Sequence, residues 1–236
     1  HTPNKHPMLD DLVNHYEDLY SRDDPTEPQK IANLSSSTYI PILDDPISEH
    51  DVNYAMKDMK KGGYDYKLPV LQMVVSMFLP IIVLIMNFMF YLCYPVSLAC
   101  SLLVALPKKG NLLLPKNWRG IQMLRAFGAL YDRILANRLH KWIGVDNEQT
   151  AFQKGKSTLH QLFTLRLLIE IAYHTDTTLY IGLFDIEKAF DKISRLLLLQ
   201  KLVKLDIGSS RGGLSEARLL YGNYFHTLMA PNILDP

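Results

Sequence analysis

The residues best placed to do chemistry lie at 184–191, where Phe184-Asp185-Ile186-Glu187-Lys188-Ala189-Phe190-Asp191 closes a run of apolar and β-branched residues beginning at Thr178. Thr178–Ile186 has the make-up of a short strand buried on both faces, with Asp185 at its far end. A carboxylate there is costly unless positive charge meets it, and a hard divalent cation, which takes carboxylate, carbonyl and phosphate oxygens, meets that need. A turn former or helix cap is the competing reading of a strand-end Asp. A second chemistry is written in the charge distribution. The net charge is only +1, yet residues 107–166 carry 11 Lys/Arg against 3 Asp/Glu, whereas residues 1–66 carry 6 against 13. With Trp118, Phe127, Tyr131, Trp142 and Phe152 interleaved, the basic block suits a groove in which cations hold phosphates and rings stack on bases. A solvated helix face with ordinary core aromatics is the alternative.

Other chemistries are excluded by what surrounds these residues. Cys93 and Cys100 sit in an apolar run with no partner at metal-ligand spacing, which predicts reduced thiols in an intracellular protein and no structural zinc. The 8 histidines are scattered, and neither an HExxH nor a GxSxG string occurs, which removes the commonest hydrolases. Gly155-Lys156-Ser157 opens a helix as in the phosphate-cradling loop of nucleoside triphosphatases, but Thr150 stands where that loop needs Gly, and a polar approach replaces the strand. The chain begins at His1 with no signal peptide, so it reads as a fragment of a longer protein.

The elements that must position these residues follow from periodicity. With 236 residues and 48% hydrophobic composition, the chain can bury one or two cores. Residues 1–66 form an acidic lead-in whose prolines keep helices short and whose Asp23-Asp24 and Asp44-Asp45 pairs read as solvated turns. Its best helix is Ser48–Lys61, with Ser48 as cap, Asp51 at the third helical position, and Val52, Ala55, Met56 and Met59 on one face, ended by Gly62-Gly63. Leu68–Pro107 is 40 residues without a charged side chain. Either it spans a bilayer, with a membrane segment indicated around 74–94, or it forms helices buried on all sides. Pro80 and Pro95 leave only Ile81–Tyr94 uninterrupted, which favours burial in protein and makes a membrane partner the weaker expectation. Arg125–Lys141 is an amphipathic helix with Phe127, Leu130, Tyr131, Ile134, Leu135 and Leu139 on its stripe and Arg133, Arg138 and Lys141 off it. Ser157 or Thr158 starts a helix through Ile171 whose apolar surface predicts deep burial, and a last helix covers about Arg195–Leu205.

FDIEKAFDKIS resembles the first palm motif of reverse transcriptases, in particular those of LINE-type (non-LTR) retrotransposons, where FD-x-x-x-AFD is typical. Four upstream elements agree in order. Leu106-Pro107-Lys108-Lys109-Gly110 is similar to the first fingers motif, and Asn117-Trp118-Arg119-Gly120-Ile121 to the "YRPIS" element that follows it. Tyr131–Leu139 resembles the "KILANRL" helix, and Glu148–Thr158 the "QFGFRKGRST" element that leads to the palm. The resemblance runs from about Lys57 to Leu205. It implies that Asp185 and the Ile186 carbonyl bind a catalytic Mg²⁺, that Phe190 is the gate excluding a 2′-hydroxyl, and that Arg119 grips the triphosphate beside Lys108 or Lys109. Lys154 and Lys156 lie against the template backbone on the same grounds. Gly120 replaces the family's Pro, implying a less rigid loop.

A second palm element, a "YADD"-like hairpin, completes the family's active site, and no such string follows Asp191. The expected fold is therefore α+β, a truncated right-hand polymerase. It consists of an acidic lead-in (1–66), a mostly helical fingers region (67–176) and a partial palm with the first catalytic motif (177–236). The expected function is a partial RNA-directed DNA polymerase (nucleotidyltransferase) of a transposable element, inactive alone. Its partners are RNA template, DNA primer and deoxynucleoside triphosphates, in nucleus or cytoplasm. A nucleic-acid-binding module retaining the basic fingers is the alternative, and a membrane-associated protein the more distant one.

Overall fold

The computed structural model describes residues 9–20, 39–92, 94–143, 148–151, 153, 155–186, 197, 200, 201 and 204. Its helices are α1 (Leu9–Tyr20), α2 (Pro41–Asp44), α3 (Glu49–Asp58), α4 (Leu68–Tyr91), α5 (Val96–Ala99), α6 (Ala126–Ile143) and α7 (Thr158–His174). Between α5 and α6 lies an antiparallel pair, β1 (Leu102–Pro107) and β2 (Trp118–Met123), joined through a 3-10 turn at Pro115–Asn117. The mixture of helix and strand is compatible with the α+β expectation.

The core forms where α3, α4 and α6 meet, and it follows from the apolar faces of their sequences. Val52, Ala55, Met56 and Met59 of the α3 segment pack with Leu71, Val75, Ile82, Met86, Met89 and Phe90 of α4 and with Leu130, Tyr131 and Ile134 of α6. Each fully buried aliphatic side chain contributes roughly 1.5–3 kcal/mol. α3 starts as its sequence predicts. The Ser48 hydroxyl accepts from the Asp51 N–H at 3.2 Å, and the Asp51 carboxylate accepts from the Ser48 N–H at 3.0 Å, closing a capping box. After α3 the chain turns through Gly62 and Gly63 against the start of α6. A Cβ on Gly63 would lie 2.0 Å from the Ala126 nitrogen, so this approach requires glycine. The same turn brings the Asp65 carboxylate to accept from the Ala126 N–H at 2.7 Å, satisfying a donor in the first turn of α6.

Several expectations are overturned. The uncharged run is not a set of helices buried on all sides. The interruption expected at Pro80 is present: α4 is two helical stretches joined across a kink at Phe78 (φ −124°, ψ 27°), two residues before the proline, whose missing N–H and ring clash break the regular turn there. By length and composition α4 is able to cross a membrane, and most of its apolar surface is uncovered. The last six residues of the run form β1 rather than helix. Arg138, expected on the polar face of α6, is buried at 6% exposure. Asp44, expected in a solvated turn, is also buried, and its carboxylate accepts from the Ile40 N–H at 2.7 Å across α2. Deep burial of α7 is not found: none of its described residues is buried. Residues 178–186 are not strand, and Leu183 and Phe184 are 92% and 96% exposed. A strand requires a neighbour to take its backbone hydrogen bonds, and among the described residues no strand lies beside 178–186. The expected helix at 195–205 and the Asp23-Asp24 pair lie largely or wholly outside the described residues.

Candidate nucleic-acid interface

The predicted site residues fall into three places. The first is the β1–β2 hairpin. Its register pairs Leu106 with Arg119 and Pro107 with Trp118, and the Lys108 N–H donates to the Asn117 carbonyl at 2.8 Å, extending the ladder by one position. Strand alternation puts Lys108 on the side of Leu106, the face that carries Arg119. Burial alternates along β2, so Arg119, Ile121 and Met123 are exposed while Trp118, Gly120 and Gln122 turn inward. Lys108 and Lys109 are exposed as well. The inward face meets α1. A Cβ on Gly120 would lie 2.8 Å from Tyr16 Cε1, so the glycine lets α1 close over the hairpin. Gly120 thus sits in a strand, not in the loop expected from the replacement of Pro. The Trp118 indole N–H donates to the Leu112 carbonyl at 2.9 Å and holds the turn against β2.

The second place is the segment carrying Asp185 and Ile186, which is extended and exposed. Among the described residues, no three His, Cys, Asp or Glu side chains come together in a way that would hold a metal ion. Asp185 and the Ile186 carbonyl are oxygen donors of the right kind for Mg²⁺, but as described they do not assemble a metal site by themselves. Phe190 and Lys154 lie outside the described residues.

Lys156 belongs to the third place, which the sequence reading did not anticipate. A cleft of about 1040 Å³ opens between α3, α6 and the turn at 153–156. Its cations are Lys60 and Lys61 beyond α3, Arg133 and Lys141 of α6, and Lys156. Asp58, the acidic residue of the wall, lies 3.7 Å from Arg133. Gly155 takes φ +78°, a left-handed turn that leads into the helix start at Ser157. Arg138 is not part of this surface. Its guanidinium donates to the Asp45 carbonyl (2.6 Å), the Pro46 carbonyl (2.9 Å) and the Asp51 carboxylate (2.8 Å), and it stacks over Phe90 at 5.5 Å. Tyr131, expected among the stacking rings, is a core residue. The signal that could have found Lys60 and Lys61 is their position one turn beyond an apolar helix face, but nothing local links them to residues 133–156.

The hairpin face and the cleft place exposed cations on a fold of mixed helix and strand, and comparison with known proteins places the chain's relatives among transposable-element proteins. The chain is 29% identical over 116 residues, 48% of its length, to the transposon TX1 uncharacterized 149 kDa protein of Xenopus laevis. It is 32% identical over 117 residues, again 48% of its length, to the retrovirus-related Pol polyprotein from type-1 retrotransposable element R2 of Popillia japonica. These matches cover 9% and 16% of the two relatives, so the chain spans a small part of each. No protein-family model matches it. Both similarities support the reading of a partial retrotransposon reverse transcriptase.

Proposed function

We propose that the chain is the fingers region and first palm motif of a right-hand RNA-directed DNA polymerase of a non-LTR retrotransposon. In this role it handles an RNA template, a DNA primer and deoxynucleoside triphosphates. The observation that carries the reading is the hairpin register, which brings Arg119 and Lys108 to one exposed face at the positions matching the fingers motifs. A guanidinium there offers a planar fork to phosphate oxygens, and the neighbouring ammonium groups add point charge. The similarity to retrotransposon proteins supports the same reading. Asp185 and the Ile186 carbonyl would offer oxygen ligands to Mg²⁺ at a site that other carboxylates must complete. When bound, that ion supplies charge stabilisation at the reacting phosphate. In this role Phe190 would be the gate that disfavours a 2′-hydroxyl, and Lys154 and Lys156 would serve the template backbone.

Fluorescence anisotropy with a labelled deoxynucleoside triphosphate tests the hairpin. Arg119→Ala is expected to weaken binding about tenfold, the loss of a charge-assisted pair of roughly 1.5 kcal/mol, and Lys108→Ala with Lys109→Ala to weaken it further. Affinity indifferent to Arg119→Ala removes the hairpin from nucleotide binding and with it the main support for the proposal.

A further inference from the structure

α4 buries one face and leaves a second apolar face in the open, and the two differ in their phase along the helix. Val70, Val74, Met77, Ile81, Leu84 and Phe88 recur at alternating steps of four and three, and all are exposed. Such alternation is the heptad seam of paired helices, here with Val74, Ile81 and Phe88 at a and Val70, Met77 and Leu84 at d. The core residues Val75, Ile82, Met86 and Met89 fall at b and f, so packing against α3 and α6 leaves the seam unused. The six seam residues stay exposed on both sides of the kink at Phe78. We infer that this seam pairs with the same seam of a second copy of the chain, giving a two-fold dimer through α4 that goes beyond the polymerase reading and does not rest on it.

Residue type, charge and area select a second copy as the occupant. β-Branched side chains at a (Val74, Ile81) with Leu84 and the unbranched Met77 at d are the combination that favours two parallel strands. In a two-fold contact a face meets itself, so any charge on it would meet its like. α4 carries no charged side chain, and its exposed polar residues Gln72 and Ser76 lie at f and c, off the seam. A helix that lies on a lipid surface carries Lys or Arg along its polar face, and α4 has neither. Ten apolar side chains from Val70 to Leu92 are exposed, all of them at a, d, e or g. At about 100 Å² apiece they offer on the order of 1,000 Å² per copy, above the roughly 800 Å² per partner that a stable interface buries.

The test is sedimentation velocity of the 236-residue chain across about a hundredfold range of concentration, where a two-copy species is expected to grow in and then plateau. Leu84→Glu/Phe88→Glu puts two carboxylates per copy into the seam and should weaken the pair at least about hundredfold. Its circular dichroism spectrum should remain that of the parent, because both side chains are exposed in the single chain. Leu162→Glu, on the exposed surface of α7, should leave the pair within about twofold of the parent. In a Cys93→Ser/Cys100→Ser background, Leu84→Cys is expected to crosslink two copies on mild oxidation, because matching d positions face each other in a parallel pair, whereas Ser76→Cys at c is not. None of these readouts involves a nucleotide or a nucleic acid, so their failure leaves the polymerase reading standing. A parent that stays a single chain at every concentration overturns the inference, and one that then co-sediments with anionic phospholipid vesicles makes α4 a lipid-facing helix instead. Parent-like association of Leu84→Glu/Phe88→Glu, dissociation by Leu162→Glu, or growth past two copies without a plateau also overturns it. So does a Leu84→Cys chain that fails to crosslink, or a Ser76→Cys chain that crosslinks equally well.

Discussion

Arg138 shows how a single charged residue is kept inside this fold. Its guanidinium joins α6 to the chain at 45–51 through two carbonyls and the Asp51 carboxylate, so both terminal nitrogens donate to buried or half-buried acceptors. Removing it leaves those acceptors buried and unpaired, which costs more than the pair itself is worth. Arg138→Met is therefore expected to lower stability by about 3 kcal/mol, read from the urea midpoint, and a loss under about 1 kcal/mol would show the staple to be incidental. Asp51 adds a pH dependence. Burial pushes its carboxyl up, but hydrogen bonds from Ser48 and Arg138 outweigh this and hold it below the usual carboxylate range. A depressed folded pKa gives stability that is fully present above the unfolded value, about 3.9, and is lost as pH falls through the folded value. Asp51→Asn should remove that acid-side slope. The capping box was legible because Ser48 and Asp51 are three residues apart. The burial of Arg138 was not, because its partners lie 87 to 93 residues upstream and no local pattern marks them. Lys60 and Lys61 stayed hidden for the same reason.

Among the elements, α4 carries the largest difference between pattern and structure. Its inward face is specific to protein. The Asn87 side chain accepts from the Ile47 N–H at 2.7 Å and donates to the Ile47 carbonyl at 2.8 Å, and the Tyr91 hydroxyl donates to the Asp44 carbonyl at 3.1 Å. The outward face is a stripe at helical spacing that includes Met73, Met77, Ile81, Leu84 and Phe88, all exposed. Because the inward face is committed to α3 and α6, whose far sides carry charge, lipid all around α4 would strip solvent from those charges at high cost. The chain is therefore expected in the soluble fraction after an alkaline carbonate wash, and retention with the membranes would overturn that reading. Leu84→Glu with Phe88→Glu should raise solubility with little change in thermal midpoint, because both side chains are exposed. Composition made the run's apolar character plain, but it cannot say whether Pro80 ends a helix or kinks one. The hairpin escaped the periodic reading because Leu102–Pro107 is apolar at every position, leaving no alternation to reveal a strand.

For the molecule as a whole, the proposed chemistry depends on more carboxylates than the first palm motif supplies. Two Mg²⁺ ions repel each other and are held together only by several shared negative ligands, while the 236 residues offer Asp185 with no YADD-like string after Asp191. Primer, RNA template, deoxynucleotides and Mg²⁺ should therefore give no extension with this chain alone. Grafting a downstream palm and thumb from a related reverse transcriptase should restore extension, because the graft supplies both the missing ligands and the strands beside which 178–186 can pair. Exposure of Leu183 and Phe184 is the structural reason to expect that second effect: these side chains need a sheet and a packed face before Asp185 can be held rigidly. In the chimera Asp185→Asn should abolish extension, since a neutral amide does not hold Mg²⁺ against the charge developing at the reacting phosphate. Asp191→Asn should be milder, and Phe190→Val should extend while admitting ribonucleotides more readily. A chimera whose activity is unchanged by Asp185→Asn would reduce that carboxylate to a chain turn and remove the palm assignment of 184–191.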